Sequence, residues 1–274
     1  MIEGLKRYRK FPLVDSWSAL LNIVSWQMPT FLLASFFSPT ITGFYSFGFQ
    51  LLQLPMSFIG SSISQVFFQR ASKAKSEGTL ASLVKNVFRL LVIVGMFPIL
   101  ILTIVGSDVF STIFGRAWTE AGIYVQILSI WVFIWFISSP LSTLYIVMEK
   151  QQFGLKYNLI NFSTRLLSLF LGGFLGDARI ALSLFSVSGI FVYGYLCLKM
   201  MLYSDVELSH VKKIIFSNLT LFVPAGLILV FLKLAGINQL FITAISFLLC
   251  IAYYLYIIKM DSQIQVLLNF ISSK

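Results

Sequence analysis

Residues 155–175 read LKYNLINFSTRLLSLFLGGFL and set one arginine, Arg165, inside a run of membrane-spanning length. About 20 mainly apolar residues in a helix cross the hydrocarbon layer of a bilayer, so this run predicts a transmembrane helix. An arginine at the centre of such a helix costs roughly 2.5–3.5 kcal/mol even on the mildest insertion scale. We therefore expect Arg165 to have a partner that offsets this cost.

The rest of the chain repeats the apolar pattern. Of its 274 residues, 58% are hydrophobic and 11% are charged, whereas a soluble domain carries about 25% charged residues. We predict an all-α integral membrane protein with eight transmembrane helices, at 16–37, 42–69, 83–105, 121–147, 155–175, 179–202, 214–234 and 239–259. The predicted domains are a basic N-terminal segment (1–15), a six-helix lobe (16–202), and two trailing helices with a tail (203–274).

The basic residues fall unevenly on the two sides of these spans. With eight spans, 16 of the 20 Lys and Arg residues lie on the side of the two termini, and only Arg116, Arg179 and Lys233 lie on the other. Cytoplasmic loops carry such an excess, so we predict a multi-pass membrane protein with both termini in the cytoplasm. Anionic lipid headgroups account for the net charge of +10, and we expect no nucleic-acid partner.

Three predicted spans have a polar face. In each span the polar residues recur mostly at steps of three or four, which places them on one side of a helix. Helix packing is the simplest explanation for the serines and glycines, including the pair Gly172 and Gly176. The polar faces consist of Asp15, Ser18, Asn22, Ser25 and Pro29 in the first span; Ser46, Gln50, Gln53, Ser57, Gly60 and Ser64 in the second; and Asn158, Asn161, Arg165, Ser168 and Gly172 in the fifth.

Arg165 has no acidic partner at its own depth. Asp15 and Asp177 lie near opposite membrane surfaces, and no predicted span has a carboxylate at its midpoint. Intramembrane arginine normally faces an acid or a water-filled cavity. We therefore expect Arg165 to line a hydrated cavity that receives an anionic ligand.

Prolines interrupt five of the eight predicted spans. Each proline removes a hydrogen bond from its helix and bends it. Bent and broken helices are typical of transporters, although prolines are common in membrane helices generally. The five are Pro29, Pro55, Pro98, Pro140 and Pro224.

The first half of the chain carries an ordered series of motifs. A basic start leads to Phe11-Pro12, and the first span contains Gln27-x-Pro29. The turn SPTITGFY (38–45), Leu54-Pro55, SQVFFQRAS (64–72) and FGRAWTEAG (114–122) follow. In this order the motifs resemble the Wzx-type polysaccharide flippases, which belong to the multidrug, oligosaccharidyl-lipid and polysaccharide exporter superfamily.

The resemblance implies a fold and a substrate. Flippases of this kind have two six-helix lobes that face one another across a central cavity. This chain resembles the second lobe plus two trailing helices, with the first lobe absent. The implied substrate is an oligosaccharide linked to undecaprenyl pyrophosphate, such as an O-antigen unit of lipopolysaccharide. Implied partners are this lipid-linked oligosaccharide, membrane lipids, and a missing N-terminal lobe or a polysaccharide polymerase.

Polar faces of this kind suit such a substrate. The planar guanidinium of Arg165 matches a pyrophosphate, and amide side chains both donate to and accept from sugar hydroxyls. We therefore expect the substrate-binding residues to be Arg165, Asn161, Asn158, Asn22, Gln50 and Gln53.

Three alternatives remain open from the sequence. A cation-coupled multidrug exporter of the same fold would commonly use intramembrane carboxylates, which are not found mid-span. An inactive fragment would insert without transporting. A membrane enzyme would need a large extramembrane loop or a cluster of catalytic residues, and we expect neither an enzyme nor a cofactor or metal. Cys197 and Cys250 lie in separate apolar spans and suggest no disulfide or metal site, and His210 lies among polar residues between spans.

Overall fold

The computed structural model describes residues 10–260, with side chains from residue 17 onward except residue 18. This part of the chain contains no strand and is built from eight long helices, which confirms the all-α membrane fold. Residues 1–9 and 261–274, which hold most of the predicted N-terminal segment and the tail, lie outside the described residues. The helices are α1 (Lys10–Phe36), α2 (Pro39–Ser76), α3 (Leu80–Phe114), α4 (Thr119–Ser138), α5 (Gln151–Phe174), α6 (Ala178–Tyr203), α7 (Leu208–Leu234) and α8 (Gln239–Met260).

Each helix corresponds to one predicted span, but some ends differ. α2 and α3 have 38 and 35 residues and are longer than a hydrocarbon layer requires. α4 ends at Ser138, before the predicted end at 147, because Pro140 has no N–H to continue the helix and its ring crowds the preceding turn. A 3-10 turn (Pro140–Thr143) and one α-helical turn (Leu144–Val147) continue the segment.

Seven helical segments of the described residues are long and apolar enough to span a membrane, and α5 is the long helix left out. Its length is sufficient, since 24 residues rise about 36 Å. Lys156, Arg165 and the polar face reduce its apolar character. α5 nevertheless packs along α1 and α6, which are both candidate membrane spans. That α5 also crosses the membrane remains a prediction, which this packing supports.

α4 is the helix around which the bundle is organised. It packs against α3, α6 and α2, while α5 packs between α1 and α6. Five helices therefore follow one another around the bundle in the order α1, α5, α6, α4 and α2. α1 and α2 contact each other far less than they contact α5 and α4, respectively.

The trailing helices α7 and α8 pack on α3 and form a second hydrophobic cluster with it. The rings of Phe97 and Tyr253 stack there with centroids 4.1 Å apart. An ion pair joins α7 to α3, because Lys233 Nζ lies 2.8 Å from the largely buried carboxylate of Asp108. The predicted domain boundary between residues 202 and 203 stays a prediction.

The helix ends fall into two groups. At one end, which we call the basic end, Lys75 donates to the Val147 carbonyl and Lys150 lies 3.7 Å from the centre of the Tyr203 ring. At the opposite end Arg179 of α6 forms a two-point ion pair with Glu120 of α4. The alternation of basic and less basic connections predicted from the sequence therefore corresponds to two physical ends of the described helices.

Gly172 sets the closest approach between α5 and α6. A Cβ atom at this position would overlap the backbone of Ala181, so only glycine permits the observed contact. Gly176 serves a different purpose from the predicted packing, because its φ of 72° forms the turn between the two helices and a Cβ there would meet nothing. Small-residue packing is thus confirmed at the first of these two glycines.

Candidate functional site

Arg165 lies on α5 where α1, α4 and α6 converge. Its side chain is 1% exposed. Nη1 donates to the main-chain oxygen of Ser25 at 3.0 Å and is 3.2 Å from its hydroxyl. Nη2 donates to the hydroxyl of Tyr193 on α6 at 3.0 Å. The guanidinium thereby joins three helices, and we call this group the arginine junction: Ser25, Trp26, Trp131, Asn161, Arg165, Phe185 and Tyr193.

The acceptor on α1 has a specific origin. In a regular helix the Ser25 carbonyl would accept from the N–H of residue 29. Pro29 has no N–H, so this buried oxygen lacks its helical donor. An unpaired buried carbonyl is costly. Arg165 supplies the missing donor from a neighbouring helix.

Aromatic rings surround the guanidinium. Its central carbon lies 4.6 Å from the ring centre of Trp26 and 5.5 Å from that of Trp131, and the rings of Phe185 and Tyr193 lie 5.5 and 5.8 Å away. The faces of such rings attract cations. Within residues 17–260, no carboxylate pairs with Arg165. Its charge is therefore stabilised by carbonyl, hydroxyl and ring electrons rather than neutralised.

Three buried polar atoms of the junction have no hydrogen-bond partner among the described residues. They are Nε of Arg165, Nε1 of Trp131 and Oδ1 of Asn161. Nδ2 of Asn161 lies 3.4 Å from the hydroxyl of Tyr193, the same oxygen that Arg165 contacts. The junction thus retains two unused donors and one unused acceptor, which a rearranged state of the bundle could employ.

The expectation that Arg165 lines an open, hydrated cavity is wrong for this conformation. Ser25 and Tyr193 occupy its donors, and Trp26 covers its face, so the guanidinium is inaccessible. Its role in binding substrate remains a prediction. The sequence pattern did not identify Tyr193 and Trp131 as partners of Arg165. It did contain a signal for the unpaired carbonyl, because Pro29 follows Ser25 by four residues.

The other predicted substrate-binding residues divide between two locations. Asn161 is buried in the arginine junction, and Asn158 is half-buried one turn away on α5. Asn22 and Gln50 are exposed and Gln53 is half-buried, on α1 and α2. None of these last three forms a hydrogen bond with the junction in the part of the chain that the structure describes. The six residues therefore do not form one site here.

α1 and α2 are less hydrophobic along their length than the trailing helices. The apolar windows of α1 and α2 have a mean hydropathy of 1.3 and are 22% buried, whereas those of α7 and α8 have 2.2 and are 28% buried. The four helices are thus buried to a similar extent, but α1 and α2 are less hydrophobic than α7 and α8. A surface that faces lipid should be the more hydrophobic one.

One side of α2 shows this polarity most clearly. Gln50, Ser61 and Gln65 are exposed and Ser57 is half-buried, and successive steps of seven, four and four residues place the four on one face. Asn22 and Gln27 are exposed on α1. Five helical residues separate Asn22 from Gln27, so the two lie about 140° apart around α1. Asn22 is on the side of Trp26, whose ring stacks on Phe49 of α2. We call the surface made of Asn22, Gln50, Gln53, Ser57, Ser61 and Gln65 the polar face of α1 and α2.

A comparison with known protein families gives one match. Residues 1–123, which include α1, α2 and α3, match a family described as polysaccharide biosynthesis protein. No curated protein and no solved structure matches the chain. The match covers the helices that bear the polar face and supports a role in polysaccharide biosynthesis or export for this multi-pass membrane protein.

Proposed function

We propose that this chain forms one lobe of a carrier that translocates an oligosaccharide linked to undecaprenyl pyrophosphate. It would move the substrate out of the cytoplasmic leaflet of a bacterial inner membrane, with both chain termini in the cytoplasm. The observation that carries the proposal is the polar face of α1 and α2, which is exposed although it lies on membrane helices. The family match of the same helices supports the polysaccharide class of the substrate.

The side chains on this face suit sugars better than ions. Asn22, Gln50 and Gln53 offer amide groups that donate and accept, as a chain of sugar hydroxyls requires. None of them is charged, so a sugar can pass from one to the next without being held by a single strong contact. The lipid tail meanwhile remains in hydrocarbon, and the chain performs no covalent chemistry on its cargo.

The polar face also requires a cover. A second lobe, placed opposite α1 and α2, would enclose a hydrated cavity between the two polar surfaces. The proposed partner is therefore a complementary helical lobe, whichever polypeptide supplies it. α7 and α8, which are the more hydrophobic helices and are also largely uncovered, would face lipid.

Arg165 acts in this proposal through a second conformation. No carboxylate among the described side chains neutralises its charge, and in a low-dielectric interior such a charge attracts anions strongly. Separation of α1 from α5 would break both contacts to Ser25 and expose the guanidinium to the cavity. A pyrophosphate could then replace Ser25 as the acceptor, with Asn158 and Asn161 beside it. Pro29 lies one turn from the contact and weakens α1 where this movement would occur.

A deletion strain that receives the full chain tests the proposal. Gln50→Leu should reduce surface polysaccharide severalfold and raise the amount of lipid-linked oligosaccharide retained inside, because an apolar side chain interrupts the sugar path. Thr220→Leu is the matched control, since it replaces an exposed polar residue on α7. Membrane levels of both variants should equal those of the unmodified protein. Arg165 is a poorer first test because its loss also removes contacts between helices.

Each outcome separates the proposal from its alternatives. Unchanged surface polysaccharide in the Gln50→Leu strain would overturn the assigned path. Loss of polysaccharide without retained lipid-linked oligosaccharide would point to synthesis instead of translocation. Export of a hydrophobic cation with normal polysaccharide would favour a drug exporter. Absence of any phenotype on deletion would favour an inactive chain.

A further inference from the structure

A cleft of about 590 Å³ opens between α3, α7 and α8 at the basic end of the molecule. Basic side chains from two helices line its mouth. They are Lys85 and Arg89 on α3, and Lys213 and His210 on α7. The cleft is separate from both the arginine junction and the polar face, and no residue assigned above to transport lines it.

The residues that line the cleft are without a carboxylate. Neither Lys85 nor Lys213 forms an ion pair with an acid in the described part of the chain. His210 has an acidic neighbour, since its Nδ1 lies 3.4 Å from Oε2 of Glu207, but Glu207 is largely exposed to solvent. Uncompensated lysines on two walls of one cleft create a positive potential within it. The mouth therefore attracts an anion.

Polarity changes along the cleft. Asn86 lies between the two basic residues of α3, and Ser217 and Asn218 lie about 6–8 Å past Lys213 along α7. Ile93, which lies about 12 Å along α3 from Lys85, then forms an apolar wall with Leu221 and Ile257 from the other two helices. The cleft is therefore cationic at the membrane surface and hydrocarbon-like toward the membrane interior.

We propose that this cleft binds an anionic phospholipid. Its phosphate would contact Lys85 and Lys213, and its acyl chains would lie against Ile93, Leu221 and Ile257. A free phosphate would satisfy the mouth but leave the apolar wall uncovered, whereas a phospholipid matches both. Basic pockets between membrane helices are suited to such headgroups. A lipid bound here would bridge α3 and α7 and hold the trailing helices on the bundle.

Lipid titration of the purified full chain tests this site. The probes are nanodiscs of phosphatidylcholine with increasing phosphatidylglycerol, and inorganic phosphate added to nanodiscs of phosphatidylcholine alone. Phosphatidylglycerol should raise the unfolding temperature and remain bound in native mass spectrometry, whereas inorganic phosphate should do neither. Lys85→Gln with Lys213→Gln should weaken the apparent affinity for phosphatidylglycerol by roughly tenfold or more, because each lysine contributes on the order of 1 kcal/mol.

A second double variant controls for general attraction between positive protein and negative lipid. Lys156→Gln with Lys212→Gln removes the same charge from exposed positions outside the cleft, and it should bind as the unmodified chain does. Equal losses in the two double variants, no loss in the cleft variant, or equal stabilisation by inorganic phosphate would each overturn the proposal. If the cleft variant does not fold, the exposed Lys213→Ala alone tests the same contact.

Discussion

Arg165 of α5 donates to the main-chain oxygen of Ser25 of α1 at 3.0 Å, and this oxygen has no helical donor because a proline follows four residues later. A second carbonyl oxygen that a proline leaves without a helical donor is paired in the same way. The hydroxyl of Tyr254 on α8 donates to the Val94 oxygen at 2.8 Å, which Pro98 leaves without its helical donor. In both cases a side chain from another helix pairs the oxygen. Proline positions therefore help to specify which helices pack together.

The link between Pro29 and Arg165 should appear as an energetic coupling. Arg165→Met leaves the Ser25 oxygen unpaired, but in a Pro29→Ala background the new N–H of residue 29 pairs it. We expect Arg165→Met to cost about 1 kcal/mol less in that background. The four free energies of unfolding in detergent measure this difference. Repeating the cycle with Pro98→Ala, which is remote from Ser25, should give no coupling.

Adjacent tyrosines of α8 offer a second, independent cycle. Tyr254→Phe should cost about 1 kcal/mol, and Pro98→Ala should remove most of that cost by restoring a donor to Val94. Tyr253 donates to the Ile93 oxygen, which also has its helical donor from residue 97. The cost of Tyr253→Phe should thus be the same with or without Pro98. If Pro98→Ala changed the free-energy cost of Tyr253→Phe as much as that of Tyr254→Phe, this explanation would be contradicted.

Gly172→Ala should destabilise the protein because its Cβ would collide with the backbone of Ala181 on α6. Overpacking of this kind costs about 1–3 kcal/mol. Gly194→Ala on α6 is the matched control, since a Cβ there meets no neighbouring atom. The control should be neutral or stabilising by up to about 1 kcal/mol, as glycine is a poor helix residue. Thermal unfolding should show a lower unfolding temperature for Gly172→Ala than for Gly194→Ala.

Water access to the polar face can be measured with cysteine labelling in intact membranes. In a background with Cys197→Ala and Cys250→Ala, Gln50→Cys should react with a charged maleimide, because a hydrated thiol ionises and reacts. Leu248→Cys, on the more hydrophobic α8 and 64% exposed at the native leucine, should remain unlabelled because lipid covers it. An unlabelled position 50, whether or not position 248 reacts, would show that this part of α2 does not face water.

The ion pairs at the opposite end should differ in strength. Asp108 is largely buried beside Lys233, whereas Arg179 is about half exposed beside Glu120. Asp108→Asn should therefore cost more stability, on the order of 2 kcal/mol, because it removes a charge that holds a neighbouring cation in partly buried surroundings. Glu120→Gln should cost less than about 1 kcal/mol and lose that effect in high salt. Unfolding at low and high ionic strength distinguishes the two.

The sequence predicts which residues of the candidate site are polar and share a helix side, but it does not predict their contacts with other helices. The stripe that contains Asn158, Asn161 and Arg165 correctly identified residues on one side of a helix, since helical spacing is a local property. Whether that side meets water or other helices depends on which helices pack against it. Arg165 meets other helices and not water because Trp26 and Tyr193 cover it. Both residues are far from Arg165 in the sequence, so the local pattern does not predict these contacts.

Apolar length and the alternation of basic loops were enough to predict eight helices, their order and their two ends, because the transfer of a segment into lipid depends on its own composition. The burial of Arg165 against Ser25, the attachment of α7 and α8 to α3, and the exposure of the polar face came only from the folded arrangement. These features depend on which helix surfaces fit together, and that fit involves close approaches such as the contact of Gly172 with Ala181, which no single segment specifies.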